Sequence, residues 1–405
     1  MPVEGGPLPG YPDVPYAQSC SMDRCMARAK EMMDWDSKYP CRDMGNGKVR
    51  GVGVAMAMQG SSIAGVDVGG ADIKLNEDGS YTLALGCTDM GTGCDTVMAQ
   101  IAADCLNTPM DNIVVFSVDT DISPYDSGSY ASATTYTTGV AVMKACEELK
   151  KKICKLGAEM MEVDERKVDF DGSCVFYDET LETDDGADGN AAGHMTDAEE
   201  CYSVDMDAIS SENAQKKVSL KDIALKSTFF NNIELQVVKQ HSSPISPPPF
   251  MVGMAEVEVD TETGSVDVLD YVAVVDCGTP INPNLARVQT EGGIAQGIGM
   301  ALWEDVQYTD KGKIRNNSFM QYKIPTRQDI GNIRVDFECS YEKSGPFGAK
   351  SIGELVIDTP CPALAEAIYN ATGVRLTELP MTPEKIAMEI LKNRESTRSG
   401  TKVEE

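Results

Sequence analysis

Basic residues and histidines are scarce in this chain of 405 residues. Lysine and arginine number 35 against 64 aspartates and glutamates, so the formal charge at pH 7 is −29. Binding of nucleic acid or anionic lipid relies on broad basic surfaces, which this balance disfavours. With only two histidines, and no C-x-x-C pair among the 13 cysteines, no zinc or iron–sulfur ligand set is visible. We therefore expect small molecules and other proteins as partners, with any electron transfer continuing on another chain.

Long hydrophobic runs are also missing. No apolar stretch approaches the roughly 20 residues of a membrane span, and residues 1–19 have neither the basic nor the apolar region of a signal peptide. The cysteines are scattered along a long acidic chain, whereas disulfide scaffolds are short and secreted. We expect a cytoplasmic protein with reduced, mostly buried thiols.

The hydrophobic pattern predicts hairpins and helices in alternation. Residues 51–60 and 71–86 alternate like strands, with a hairpin turn at Asn76–Gly79. The segment "CDTVMAQIAADCL" then predicts a helix, "NIVVFSV" a strand, and residues 137–157 a helix that ends on lysines and Gly157. A long hairpin follows, turning at Thr261–Gly264. Without a regular βαβ rhythm, the class predicted is α+β, a mixed α/β fold with two lobes of sheet and helices.

Composition divides the chain into four predicted segments. Residues 1–44 form a lead-in and a helix, 45–240 a first lobe, 241–392 a second lobe and 393–405 a polar tail. The proline-rich stretch "HSSPISPPPF" must be extended and marks the boundary between the lobes. An insertion near 178–200 holds nine acids and no lysine or arginine. It lacks the ligand spacing of a calcium loop, so we interpret it as a solvated insertion.

Two glycine- and hydroxyl-rich motifs are candidate ligand sites in the first lobe. The stretch "DMGTGCDT" (89–96) is a glycine loop that leads into a helix N-terminus, where free N–H groups bind anions. Taken alone, the stretch is more simply interpreted as a plain strand-to-helix turn. The stretch "SGSYASATTYTTG" (127–139) is crowded with hydroxyl groups that suit a polar ligand, although a turn and helix cap use the same residues.

Two further motifs lie in the second lobe. The stretch "QTEGGIAQGIG" (289–299) offers glutamine amides among small residues, which also permit close helix packing. The stretch "GPFGAKSIGE" (345–354) places glycines around Lys350 and ends on Glu354, just before a predicted helix. A lone carboxylate there is most simply a helix N-terminal charge, and Lys350 most simply a solvated or paired side chain.

In this order the motifs closely resemble the C-terminal half of the molybdenum-binding subunit of the molybdenum hydroxylases, the xanthine dehydrogenase and aldehyde oxidoreductase family. The resemblance covers nearly all of the chain outside its first 20 or so residues, the acidic insertion and the tail. The segments that carry it are "DMGTGCDTVMAQIAAD", "SYASATTYTTGVAV", "PPFMVGMAEVEVDTETG", "VVDCGTPINPNLARVQTEGGIAQGIG" and "GPFGAKSIGELVIDTPCPALAEAIYNATGVR".

The resemblance implies a set of site residues. Glu354 matches the family's catalytic base beside the metal, and we expect a water-poor pocket around it, because a desolvated carboxylate is a stronger base. The metal is implied to be held through the pterin dithiolene and by no protein side chain. Thr92 stands where many members have glutamine, and its hydroxyl reaches less far. The implied cofactor-binding residues are Met90, Gly91, Thr92, Gly93, Ala131, Ser132, Thr134 and Gln289.

The implied activity is the water-dependent hydroxylation of a purine such as xanthine or hypoxanthine by a molybdenum–molybdopterin cofactor, with the cytosine dinucleotide form left open. The implied partners are the N-terminal half of the molybdenum subunit, a 2Fe-2S subunit and an FAD subunit, because the motifs of all three are missing here. Nicotinate-type heterocycles or aldehydes are alternative substrates. A non-catalytic paralogue is a second hypothesis, motivated by Thr92, and an acidic calcium- or protein-binding domain is a third.

Overall fold

The computed structural model of the chain describes residues 7–8, 11–15, 17, 19–117, 119–181 and 217–399. The predicted acidic insertion therefore lies outside the described residues from position 182 onward. Every cysteine within the described ranges is a free thiol, and five of them are buried. Across these ranges no helix is both long and apolar enough to span a membrane.

Strands and helices alternate irregularly along the chain. Up to residue 161 the elements are β1 (Pro7–Leu8), β2 (Tyr11–Pro15), α1 (Met22–Met33), α2 (Trp35–Lys38), β3 (Cys41–Gly45), β4 (Lys48–Met58), β5 (Gly69–Leu75), β6 (Tyr81–Leu85), α3 (Cys94–Leu106), β7 (Ile113–Phe116) and α4 (Gly139–Met161). Beyond it they are β8 (Val168–Phe170), β9 (Cys174–Tyr177), β10 (Lys217–Ser219), α5 (Leu220–Leu225), β11 (Gln236–His241), β12 (Phe250–Asp260), β13 (Val266–Asp276), α6 (Pro283–Leu302), β14 (Asn332–Phe337), α7 (Pro360–Thr372) and α8 (Pro383–Ser399).

A four-stranded sheet in the order β11-β5-β6-β7 forms one centre of packing. Strands β5 and β6 form the predicted antiparallel hairpin, and β7 pairs parallel to β6 after the predicted helix α3. Helices α3 and α4 cover the sheet and build its hydrophobic core with it. This part of the chain follows its local sequence signals closely.

A five-stranded sheet in the order β14-β13-β12-β4-β3 forms the other centre. Strands β12 and β13 make the long predicted hairpin. Helices α6 and α7 pack on one face and α1 on the other. Two glycines of β4 allow α7 to approach closely, since a Cβ at Gly51 or Gly53 would lie 2.2 Å from the backbone oxygen of Ala367 or Ala363. The sheet is thus covered on both faces.

The sheets do not follow the predicted boundary at residue 241. Strand β4, assigned by sequence to the first lobe, pairs along its whole length with β12 of the second. Pairing between strands so distant in sequence leaves no local sequence signal. The proline-rich stretch does leave one, and the predicted boundary was placed there for that reason. The division into lobes itself stays a prediction.

One predicted helix end was wrong. Helix α4 continues past Gly157 to Met161. Gly157 faces Val175, whose Cβ would lie 2.7 Å from a Cβ added at position 157. Gly157 therefore permits close packing and is not a stop signal. Helix α8 extends to Ser399, so the predicted polar tail from 393 begins as helix.

Candidate functional site

A cavity of about 230 Å³ lies where the candidate motifs meet. Six of the predicted site residues line it, together with the start of α6: Met90, Thr92, Ser132, Thr134, Gln289 and Glu354. Gly91, Gly93 and Ala131 lie in the same loops without lining the cavity. Residues up to 264 positions apart in sequence are thereby brought to one place, which none of the motifs required individually.

The glycine loop is organised around the carboxylate of Asp89. Its Oδ1 accepts hydrogen bonds from the backbone N–H groups of Gly91 at 2.8 Å and Gly93 at 3.1 Å, and Oδ2 accepts one from Asp95 at 3.4 Å. Burial alone would raise the pKa of Asp89, but these hydrogen bonds outweigh it and lower the pKa. The backbone N–H groups that were expected to bind an anion are therefore partly occupied by the Asp89 carboxylate. Met90 and Thr92 remain exposed.

The hydroxyl segment makes a strained turn before α4. Ala131 and Ser132 both adopt left-handed backbone angles, with φ of 49° and 55°. Such angles are unfavourable for residues with a Cβ, and strain of this kind concentrates at functional sites. The Ala131 carbonyl accepts a 2.9 Å hydrogen bond from the backbone N–H of Ser62, which helps to hold the turn. The Thr134 hydroxyl donates to the Ser129 hydroxyl at 2.9 Å.

Glu354 is exposed at the cavity and is held through one of its two carboxylate oxygens. Gln59 Nε2 donates to Glu354 Oε2 at 2.8 Å, and Ser132 Oγ donates to the same oxygen at 3.0 Å. The described residues alone do not supply the predicted water-poor surroundings, because the side chain is exposed in this chain. Burial and the nearby charge of Glu354 together raise the pKa of Asp358, one turn further on.

Helix α6 carries Gln289 and is fixed at its start by Asn282. The side-chain Oδ1 of Asn282 caps the helix by accepting from the Leu285 N–H at 3.0 Å, and its Nδ2 donates to Gln100 on α3 at 3.0 Å. One turn on, Gln289 Nε2 donates to the Gly353 carbonyl at 3.0 Å. The helix thus links the glycine-loop side of the cavity to the segment that bears Glu354.

Lys350 is paired, which is one of the two states predicted for it from the sequence. Its Nζ lies 3.0 Å from Asp276 Oδ1, with both side chains fully buried, and donates to the Ser340 hydroxyl at 3.1 Å. Its Nζ also lies 5.1 Å from the centre of the Phe250 ring. A buried lysine that lost this partner would leave an uncompensated charge, so the pair fixes the segment before Glu354 to the end of β13.

The sequence reasoning missed several polar residues of the site. Gln59 contacts Glu354 directly, and Thr279 and Asn282 line the cavity from outside the four candidate stretches, whereas Ser129 and Thr135 lie within the predicted hydroxyl stretch. Asn282 before a proline was a recognisable helix cap. Gln59 carried no such signal, because it follows an unremarkable strand.

The residues present fit a neutral, heteroatom-rich ring such as a pterin. Nine hydroxyl and amide side chains lie on the lining among apolar neighbours and can donate or accept hydrogen bonds. Gln59 Oε1 is buried beside Glu354 with no donor among the described residues. Gly353 leaves room, since a Cβ there would lie 3.0 Å from Ser132 Oγ. Asp89 is the centre of a possible ligand trio with Cys94 and Asp95, but its oxygens already accept backbone N–H groups.

Fold and cavity together define a cofactor-binding domain. Residues 28–331 match the family model of the molybdopterin cofactor-binding domain. The chain belongs to this family, within the molybdenum hydroxylases.

The similarity extends over most of this chain and part of each relative. The chain is 34% identical over 380 residues to the probable hypoxanthine oxidase XdhD of Escherichia coli K12, covering 92% of this chain and 35% of that protein. It is 29% identical to the putative xanthine dehydrogenase molybdenum-binding subunit XdhA of the same strain, covering 91% and 46%. The crystal structure of quinoline 2-oxidoreductase from Pseudomonas putida 86 superposes with a TM-score of 0.78 at 22% identity, covering 92% and 46%. The chain therefore spans about a third to a half of these relatives, and the last match shows the shared fold.

Proposed function

We propose that this chain is the molybdenum-cofactor-binding part of a multi-subunit molybdenum hydroxylase that hydroxylates a purine with water as the oxygen source. The observation that carries the proposal is the position of Glu354 at a cavity whose largely apolar lining also presents hydroxyl and amide groups. Its Oε2 is held by two donors, whereas its Oε1 accepts no hydrogen bond from the described residues. A general base needs such a free oxygen.

The cavity-lining residues are the proposed contacts of the cofactor. Ser132, Thr134 and Gln289 would bind its pterin through hydroxyl and amide groups, and Met90 to Gly93 would border it on the side of α3. When bound, the molybdenum–pterin cofactor supplies the two-electron oxidation of the substrate carbon. The nucleotide form of the pterin, including the cytosine dinucleotide, is to be read from the native complex by mass spectrometry.

Glu354 would accept a proton at Oε1 from the water-derived oxygen that is transferred. Its exposure in this chain supports a requirement for a covering partner, because a base and its reacting groups work best away from bulk water. We propose that the N-terminal half of the molybdenum subunit covers the cavity. The electrons would leave through partner subunits that carry 2Fe-2S clusters and FAD.

A purine is the favoured substrate class because the hypoxanthine oxidase and xanthine dehydrogenase relatives match the chain over more than nine tenths of its length. Nicotinate-type heterocycles and aldehydes are the alternatives, since a subunit that acts on the related heterocycle nicotine and an aldehyde oxidoreductase also match. The test is turnover of hypoxanthine, xanthine, nicotinate and an aldehyde by the native complex with an artificial electron acceptor. Purine turnover is expected; turnover of only the other substrates would contradict the purine assignment.

The second candidate is a non-catalytic paralogue, favoured by Thr92 at a position where the family commonly has glutamine. Metal and pterin analysis of the native complex distinguishes the two functions. We expect stoichiometric molybdenum and pterin together with turnover. A native complex that contains neither molybdenum nor pterin and turns over none of the tested substrates would support the paralogue.

A further inference from the structure

Glu354 has a partner that the sequence motifs do not contain. Gln59 Nε2 donates to Glu354 Oε2 at 2.8 Å, across 295 positions of sequence. Ser132 Oγ donates to the same oxygen at 3.0 Å and accepts from the Glu354 backbone N–H at 2.9 Å. Two neutral donors therefore hold one oxygen of the carboxylate.

Gln59 is itself held in place by hydrogen bonds between the segments 59–61 and 351–354. It directly follows β4, which is hydrogen-bonded within the five-stranded sheet. The Ser351 backbone N–H donates to Ser61 Oγ at 3.0 Å, and Ser351 Oγ donates to the Gly60 carbonyl at 3.2 Å. Ser61 Oγ donates to the Pro247 carbonyl at 2.7 Å. The contact between Gln59 and Glu354 thus lies beside a set of buried and partly buried hydrogen bonds that join the two segments.

The surroundings of Gln59 permit one orientation of its neutral side-chain amide, in which Nε2 donates to Glu354. Its amide must present Nε2 to the ionised carboxylate, because the amide oxygen would be repelled. Within the described residues Glu354 forms no ion pair, and Lys350, the one cationic residue on the cavity lining, is paired with Asp276. Asp358 is the acid whose titration responds to Glu354. No positive charge therefore substitutes for the amide at this oxygen.

We propose that Gln59 is a positioning residue for the catalytic base. By holding Oε2 in place, together with Ser132, it directs Oε1 as the oxygen that accepts the proton. This role rests on the proposed function of Glu354. It acts through orientation, so losing Gln59 should slow the chemical step and leave cofactor loading and substrate binding unchanged.

A double-mutant cycle in the native complex tests the proposal. The variants are Gln59→Met, which keeps the length and removes the donor, Glu354→Gln, and both together, all compared at equal molybdenum content. Gln59→Met should lower kcat about 10- to 100-fold, the range for one hydrogen bond to a charged group, with KM changed by less than about 2-fold. In the Glu354→Gln background it should have no further effect. Gln240→Met, at an exposed position of the edge strand β11, is the control and should match wild type.

Infrared spectroscopy supplies a readout that does not depend on turnover. The carboxylate bands of Glu354 are identified as those lost in Glu354→Gln, and Gln59→Met should shift them while Gln240→Met does not. An unshifted band, or an equal loss of kcat in both backgrounds of the cycle, would overturn the positioning role. If Gln59→Met turned over at the wild-type rate while Glu354→Gln was inactive, the positioning role would be overturned and the proposed function would stand. Full activity of Glu354→Gln would overturn the proposed function as well.

Discussion

Gln289 on α6 donates a 3.0 Å hydrogen bond to the carbonyl oxygen of Gly353, the residue immediately before Glu354. A side chain implied to touch the cofactor therefore also holds the backbone that carries the proposed base. One substitution should for this reason affect both stability and cofactor retention.

Gln289→Met tests this double role. The loss of one hydrogen bond should lower the free energy of unfolding by about 1 kcal/mol, and pterin should dissociate faster from the native complex. Chemical denaturation and pterin release are the measurements. Gln296→Met is the matched control, because Gln296 lies exposed on the same helix. Equal behaviour of the two variants would contradict a role for Gln289.

Neighbouring glycines of α6 should respond oppositely to alanine. A Cβ at Gly292 meets nothing within 4 Å, so Gly292→Ala should stabilise the helix by about 0.5–1 kcal/mol. A Cβ at Gly293 would lie 2.2 Å from Val356 Cγ2, just after Glu354, so Gly293→Ala should destabilise by about 1–3 kcal/mol. Thermal unfolding of both variants is the measurement. Changes of the same sign would contradict this packing of α6 against residues 355–357.

How far the sequence predicted the molecule depended on how local each signal was. The turn at residues 76–79 and the hairpin of β12 and β13 follow from adjacent residues and are confirmed. The pairing of β4 with β12 and the contact of Gln59 with Glu354 join distant segments, and a pattern of neighbouring residues contains no trace of them. Gly157 was misjudged because a glycine that ends a helix and one that packs against Val175 look alike in sequence.

Lys350→Met should be strongly destabilising. It would leave Asp276 buried without its counter-ion, at a cost of about 3–5 kcal/mol. Replacing Asp276 by asparagine as well should recover part of this loss, because the uncompensated charge is then removed. Unfolding by denaturant measures both, and Lys343→Met, on an exposed residue of the same loop, is the control. An effect no larger than that of the control would contradict a stabilising role for the pair.

His241 should make stability depend on pH. Burial, and secondly the charge of Lys144, lower its pKa from 6.5 to about 4. Between these values the unfolded chain binds a proton that the folded chain does not, so His241 lowers stability as the pH falls from 6.5 towards 4. Lys144 Nζ lies 2.9 Å from His241 Nδ1, which fits a neutral ring that accepts there.

His241→Asn keeps an acceptor for Lys144 and removes the titration. Denaturation midpoints at pH 7 and pH 5 should therefore differ less in the variant than in the wild-type protein. The other acids titrate equally in both proteins, so the difference between the two pH dependences belongs to His241. Parallel curves for the two proteins would contradict the lowered pKa.

We propose that Glu354 is the base of a molybdenum hydroxylase. The most direct test of this proposal compares the native complex with its Glu354→Gln variant at equal molybdenum content, using hypoxanthine or xanthine and an artificial electron acceptor. The amide cannot accept the proton, so we predict that the metallated variant loses nearly all turnover, at least about 100-fold, the lower range for general base catalysis. Equal turnover by the two proteins would contradict the claim and leave Glu354 a structural carboxylate.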